Sequence, residues 1–318
     1  MTRLLFILLF VCLTPHLRAQ SNIHQQEINI ITDNDNYDFE LTDRYYSNGF
    51  IIQYNRVSSK APAGFIKKIN RFELGHKVYN PVTNRRSTEN VLANMDRPFA
   101  GWFYGSYGST LFKKSKSIME YTFAAGIMGP SALGAEVQQG WHRFIGLYKV
   151  YGWEYQLKNT AGMQASLAYY HSLLPVESTR GLTVHMASKA EVGTIFSNAS
   201  AGFLVKTGWL NKEEKQSGYW MGHLGADAKT FNRKEFIFFL EPLVQYQAYN
   251  ATVQGRLFSN DKGPFTTGIQ PWVMQVKTGM FITGNDLGLR WYYTFRTKEG
   301  SSMFKGEHWG TIGLSFRF

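Results

Sequence analysis

Beyond residue 20 no stretch holds the roughly 18 consecutive apolar residues that a membrane-crossing helix needs, and the pattern that recurs instead has period two. In Asp286–Thr297, Leu287, Leu289, Trp291, Tyr293 and Phe295 alternate with Gly288, Arg290, Tyr292, Thr294 and Arg296. In Trp309–Phe318, Ile312, Leu314, Phe316 and Phe318 alternate with Gly313, Ser315 and Arg317. A half-buried soluble strand carries the same alternation. Here, however, the off-face residues are small or charged and the aromatics gather toward segment ends, as in a barrel with an apolar outside and a polar lumen. Aromatic residues make up 16% of the chain, with 18 Tyr and 8 Trp. Rings of that amphipathic kind suit the girdles at a membrane interface better than a soluble core.

Residues 1–19 read as an export signal: Arg3 forms a short basic region, Leu4–Leu13 is apolar, and Leu17-Arg18-Ala19 approximates a cleavage site before Gln20. The apolar run is too short to span a bilayer. Cys12, the only cysteine, lies inside it and outside any lipobox, so disulfides and thiolate catalysis are excluded from the mature domain, residues 20–318. Without Arg3 and Arg18 the net charge is about +9, which favours anionic partners such as phosphate-bearing lipid or polysaccharide. Export leaves nucleic acid out.

Fourteen segments carry strand character: 27–32, 47–56, 68–79, 99–112, 118–128, 152–158, 163–173, 183–195, 200–209, 218–228, 235–250, 270–282, 286–297 and 308–318. The expected architecture is an all-β, transmembrane antiparallel barrel forming one domain, with an even strand number and both termini on the periplasmic side. The long connections, Asn211–Ser217 among them, are then expected to face outward. Lys189, Glu191, Lys206 and Lys277 fall on the lumen-facing phase. Termination on Phe318 resembles the signal that delivers outer-membrane barrels to the barrel-assembly machinery.

Two polar clusters fall on the expected outer rim. Asp33–Phe50 holds Asp33, Asp35, Asp38 and Glu40 with two asparagines before its second strand, an oxygen-rich set that suits a hard cation such as Ca²⁺. Gly129–Gly146 holds Gln138 and His142, whose spacing places them on one face of a helical extracellular loop. A solvated acidic loop and a backbone-bonded histidine are the plainer readings of the two. Together they point to metal-assisted hydrolysis. G-x-S-x-G and H-E-x-x-H are absent. Ser–His catalysis remains open, as do a phospholipase-type acyl hydrolase and a passive porin or adhesin. Asp96 and Arg97 read as a structural pair at a strand start. Arg85, Arg86, Lys212 and Lys215 sit on expected outer loops, where lipid phosphates could meet them.

The blocks Asn34-Asp35, Thr42-Asp43-Arg44-Tyr45-Tyr46-Ser47-Asn48-Gly49, Asp96-Arg97-Pro98-Phe99-Ala100-Gly101-Trp102, Gly129-Pro130 with Gly134, Gln138 and His142, and Gly152-Trp153 with Gln156-Leu157 closely resemble the outer-membrane lipid A 3′-O-deacylase family of the LpxR type. The resemblance runs from about residue 27 to the C-terminus. It implies a twelve-stranded barrel in the outer membrane of a Gram-negative bacterium, with a Ca²⁺-dependent esterase site on its outer side. The implied substrate is lipid A within lipopolysaccharide, from which the 3′ acyloxyacyl group is removed. Position by position, Asn34 and Asp35 match the family's calcium pair and His142 its catalytic histidine. Gln138 matches the glutamine four residues earlier, and Ser47 stands where the family usually has threonine. The family's acidic residue shortly after the histidine has no counterpart in Arg143–Tyr151; Glu136 or Glu154 are the acids at hand.

Overall fold

The computed structural model describes residues 23–38, 44–82, 88–174, 181–211, 214–225 and 234–318. The leader, Glu40, Thr42, Asp43, Arg85, Arg86 and Lys212 lie outside that set. Among the described residues twelve antiparallel strands close into a barrel: β1 (Gln26–Asn34), β2 (Tyr45–Val57), β3 (Lys67–Asn80), β4 (Ala100–Phe112), β5 (Ile118–Met128), β6 (Thr160–Ser172), β7 (Leu182–Gly193), β8 (Phe196–Trp209), β9 (Glu235–Asn250), β10 (Trp272–Thr283), β11 (Leu287–Arg296) and β12 (Glu307–Arg317). Closure runs through β1 and β12, from Glu27↔Arg317 to Asn34↔Gly310. Among the described residues three α-helices lie between the strands: α1 (Thr88–Ala93), α2 (Gly134–Ile145) and α3 (Ala251–Gln254).

The period-two pattern sorts the two faces. Ile30, Phe50, Ile52, Phe72, Leu74 and Phe103 are exposed on the outward phase, where a barrel meets lipid. Lys77, Lys189, Glu191, Lys277 and Arg296 line a polar lumenal cavity of about 400 Å³. Lys206 is buried, its ammonium 4.1 Å from the Trp220 ring centroid. The lumen phase read from the sequence holds at all four expected positions.

Two expected strands are not strands, which brings fourteen to twelve. Residues 152–158 begin with Gly152 in the left-handed region (φ 100°) and make a 3-10 turn, Trp153–Tyr155. Residues 218–225 form a second turn, Gly218–Trp220, followed by left-handed Met221 and Gly225. Both segments alternate locally, but these positive φ values break the extended path that a strand requires. The connection holding Asn211–Ser217 lies at the end of the barrel that carries the chain termini, not at the rim: Gly225 N–H donates to the His24 carbonyl at 2.7 Å, and the Lys67 ammonium donates to the Lys215 carbonyl at 3.0 Å. Conversely, the two-residue turn Thr194–Ile195 joins β7 and β8 at the opposite end.

The Gly218–Gly225 segment folds inward and plugs the barrel. Trp220, Met221 and Leu224 pack against Ile69, Phe112 and Leu204 of the wall. Buried His223 contacts the Glu27 carboxylate at 2.8 Å, and Arg317 donates to the same group at 3.0 Å. A polar lumen with an apolar stopper at one end is not an open pore.

Candidate active site on the outer wall of the barrel

At the end of the wall away from the termini the outward phase stops being apolar. Ile30 and Thr32 lead to Asn34; Ile52 and Phe50 lead to Asn48; Leu74 and His76 lead to Val78 and Asn80. Register joins them into one row across four strands, Asn34↔Asn48, Asn48↔Val78 and Val78↔Gly101. Partners in such a row share a face. A β-bulge between Tyr46 and Asn48 adds Ser47 to β2, the usual device for re-aiming a side chain. The Ser47 hydroxyl donates to Asn80 Oδ1 and lies 3.4 Å from the Val78 carbonyl.

Helix α2 lies against the Gly101 end of this row. An added Cβ at Gly101 would stand 3.1 Å from the Gly134 backbone, and one at Gly134 would meet the Trp153 ring at 2.8 Å, so both glycines are needed for this close approach. His76 Nε2 donates to the Ala132 carbonyl at 2.7 Å and fastens the turn before the helix to β3. The helix ends at Gly146 (φ 79°), whose N–H returns to the His142 carbonyl, a left-handed cap that suits glycine.

The two helix faces differ sharply. Gly134, Gln138 and His142 are buried toward the wall, while Leu133, Val137, Trp141, Phe144 and Ile145 are exposed. Gln138 makes three hydrogen bonds to two partners. Its Oε1 accepts from Asn80 Nδ2 at 2.9 Å and from Trp153 Nε1 at 2.8 Å, and its Nε2 donates to Asn80 Oδ1 at 3.2 Å. Ser47 and Gln138, far apart in the chain, therefore meet through Asn80. His142 stands one turn on. Its Nδ1 is 2.7 Å from the Tyr148 carbonyl, which can only accept, so Nδ1 carries the proton and Nε2 is the basic nitrogen. A cavity of about 560 Å³ opens beside it, lined by Glu136, Arg143, Tyr148 and Lys149.

Asn34 and Asp35 stand at the β1 end of the row. Asn34 Oδ1 accepts from the Asn36 amide and Asp35 Oδ2 from the Arg44 amide, each at 2.7 Å. The acidic cluster seen in the sequence is split by the wall. Asp33 points into the lumen, where Tyr46 and Thr311 donate to it at 2.6 Å and 2.7 Å. Asn34, the next residue, is on the outward phase. No group of three or more His, Cys, Asp or Glu side chains that could hold a metal ion gathers among the described residues. The oxygen donors that remain, one carboxylate and outward-facing amides, are hard ligands of the type Ca²⁺ accepts. Buried Asn48 Oδ1, opposite Asn34, has no hydrogen-bond partner among the described residues and adds a further such oxygen.

Asp96 and Arg97 are both buried but serve different partners. Asp96 accepts from the Tyr45 hydroxyl and the Val82 amide. Arg97 reaches Glu299 and Thr252 and lies over the Tyr79 ring. Sequence reasoning missed Asn80 and the role of Trp153. The signal for Asn80 was present: an amide on a phase that should face lipid.

The LpxR outer membrane protein family model matches residues 4–318. Among solved structures, the chain is similar to LpxR from Salmonella typhimurium, with a TM-score of 0.72, 19% identity, and coverage of 92% of this chain and 100% of that one. The β-domain of the Bordetella autotransporter BrkA gives a TM-score of 0.47 at 7% identity, covering 93% of this chain and 100% of its own. No curated protein matches the sequence. On a family match that spans nearly its whole length, the chain belongs to the LpxR family of outer membrane proteins.

Proposed function

We propose that the protein is a lipid A 3′-O-deacylase that hydrolyses the 3′ acyloxyacyl ester of lipopolysaccharide from the outer leaflet, with His142 as general base. The observation that carries this reading is the two-faced helix α2. Its Gln138/His142 face is buried, with Gln138 bonded to Asn80 of the wall, while Leu133, Val137, Trp141, Phe144 and Ile145 leave an apolar face exposed. A helix of this kind lies in the membrane interface, level with the ester bonds of a glycolipid.

The His142 tautomer fixed by the Tyr148 carbonyl leaves Nε2 to take a proton from water. Ser47 bonds to Asn80 and Val78, which favours water over Ser47 as the nucleophile. Gln138, held by Asn80 and Trp153, positions the helix turn that carries His142. Asn34 and Asp35 would hold Ca²⁺, which when bound supplies positive charge to stabilise a developing oxyanion. The plugged lumen weighs against a passive pore.

The test is mass spectrometry of lipid A from cells expressing wild-type or His142→Ala protein. Wild type should remove the 3′ acyloxyacyl group. His142→Ala should insert normally and lose about 10²–10⁴-fold in rate. Asp35→Ala should also be impaired, but partly rescued by excess Ca²⁺, unlike His142→Ala. Release of acyl chains from glycerophospholipid with lipid A untouched would instead identify a phospholipase.

A further inference from the structure

Asn48 breaks the rule of the outward wall twice. It is an amide on a phase otherwise given to Phe50, Ile52 and Tyr54, and its buried Oδ1 accepts no hydrogen bond among the described residues. A buried carbonyl oxygen left unpaired is costly, and such exceptions call for an unseen water or ion. Its position narrows the choice. Asn48 is the direct β2 partner of Asn34, and Asp35 follows Asn34 in the chain. Directly opposed residues of an antiparallel pair have Cβ atoms about 4.5–5.5 Å apart. Two oxygens bound to one Ca²⁺ at about 2.3–2.6 Å each stand no farther apart than that. The bulge at Ser47 lies immediately before Asn48, where the local twist of β2 is adjusted.

We propose that Asn48 is a further oxygen ligand, through Oδ1, of the cation held by Asn34 and Asp35, an inference that rests on the cation reading of this site. The resulting set has one carboxylate and two neutral amides. So low a ligand charge belongs with the weak end of calcium sites, about 10⁻⁴–10⁻³ M, the range of extracellular modules.

The experiment is a Ca²⁺ titration of the purified, folded barrel, read by calorimetry and by the shift in thermal midpoint, for wild type, Asn48→Leu and Asn48→Asp. Asn48→Leu replaces the unpaired amide with an apolar group of similar size. Without Ca²⁺ it should melt at or above the wild-type temperature, and its Ca²⁺ affinity should fall tenfold or more. Asn48→Asp adds a charge and should tighten binding, while lowering the midpoint when Ca²⁺ is absent. An Asn48→Leu affinity within twofold of wild type overturns the proposal. So does an Asn48→Leu protein that is destabilised without Ca²⁺ yet binds it normally, because that is the signature of a purely structural amide. If Asn48→Leu does not fold, Asn48→Asp decides alone, and an unchanged or weaker affinity overturns the proposal. Wild type that binds no Ca²⁺ removes the cation reading itself, an outcome distinct from normal wild-type binding that ignores Asn48.

Discussion

Asn80 joins Ser47 to Gln138, and Gln138 in turn holds Trp153, so a single amide on β3 fastens a bulge, a helix and a turn. Every member of that network is buried, and a buried polar group deprived of its partner costs about 1–3 kcal/mol. Asn80→Ala leaves both the Ser47 hydroxyl and Gln138 short of a partner. It should lower stability by at least that much, measured by denaturant unfolding, and lower activity through displacement of α2. Ser47→Ala removes one hydroxyl that donates to Asn80. With water as nucleophile it should cost far less activity than His142→Ala; loss equal to that of His142→Ala would make Ser47 the nucleophile.

Helix α2 owes its position to the Gly101–Gly134 approach and its environment to the exposed stripe. Burying a large apolar side chain contributes about 1.5–3 kcal/mol, so Trp141 and Phe144 together bias the helix strongly toward the acyl region. Trp141→Ser with Phe144→Ser should lower turnover of substrate in bilayers while sparing turnover in detergent micelles. Equal loss in both would mean that the stripe is structural. The outer connection between β11 and β12 is held differently. Burial pushes the Glu299 carboxyl up, but the guanidiniums of Arg97 and Arg296 outweigh burial and hold it below the usual carboxylate range. Since the folded value is depressed, the tie is fully present above the unfolded value of about 4.3 and is lost as pH falls through the lower folded value. Glu299→Gln should therefore make residues 297–306 more protease-sensitive at pH 7, and in wild type the same segment should loosen only on acidification past the ordinary carboxylate range.

For the whole molecule the plug bears on whether the barrel conducts. Trp220 is almost wholly buried among wall residues, with Lys206 over its ring and Tyr170 edge-on at 5.4 Å. Replacing a buried Trp with Ala typically costs about 3–5 kcal/mol. Trp220→Ala should loosen the stopper and produce ion conductance in planar bilayers where wild type is silent. The outer site, on the far end and opposite face of the wall, should keep its activity. Conductance by wild type would show that the plug does not seal the lumen.

The sequence by itself determined the architecture, because alternation with period two leaves a membrane chain no alternative to a closed barrel. The same alternation told inside from outside at Lys189, Glu191 and Lys277, and the spacing of Gln138 and His142 marked one helical face. Tertiary structure decided against the fourteen strands of the local pattern and for the twelve that the family resemblance implied. GYWMGHLG and WEYQLK alternate as strands do, and only backbone turns at Gly152 and Met221, with no neighbour left to pair with, remove them from the sheet. It also decided that Asp33 and Asn34, adjacent in the chain, serve opposite sides of a wall, and that Asn80 is what joins Ser47 to Gln138. Such pairings depend on register across strands and on the docking of a helix, which no local pattern encodes.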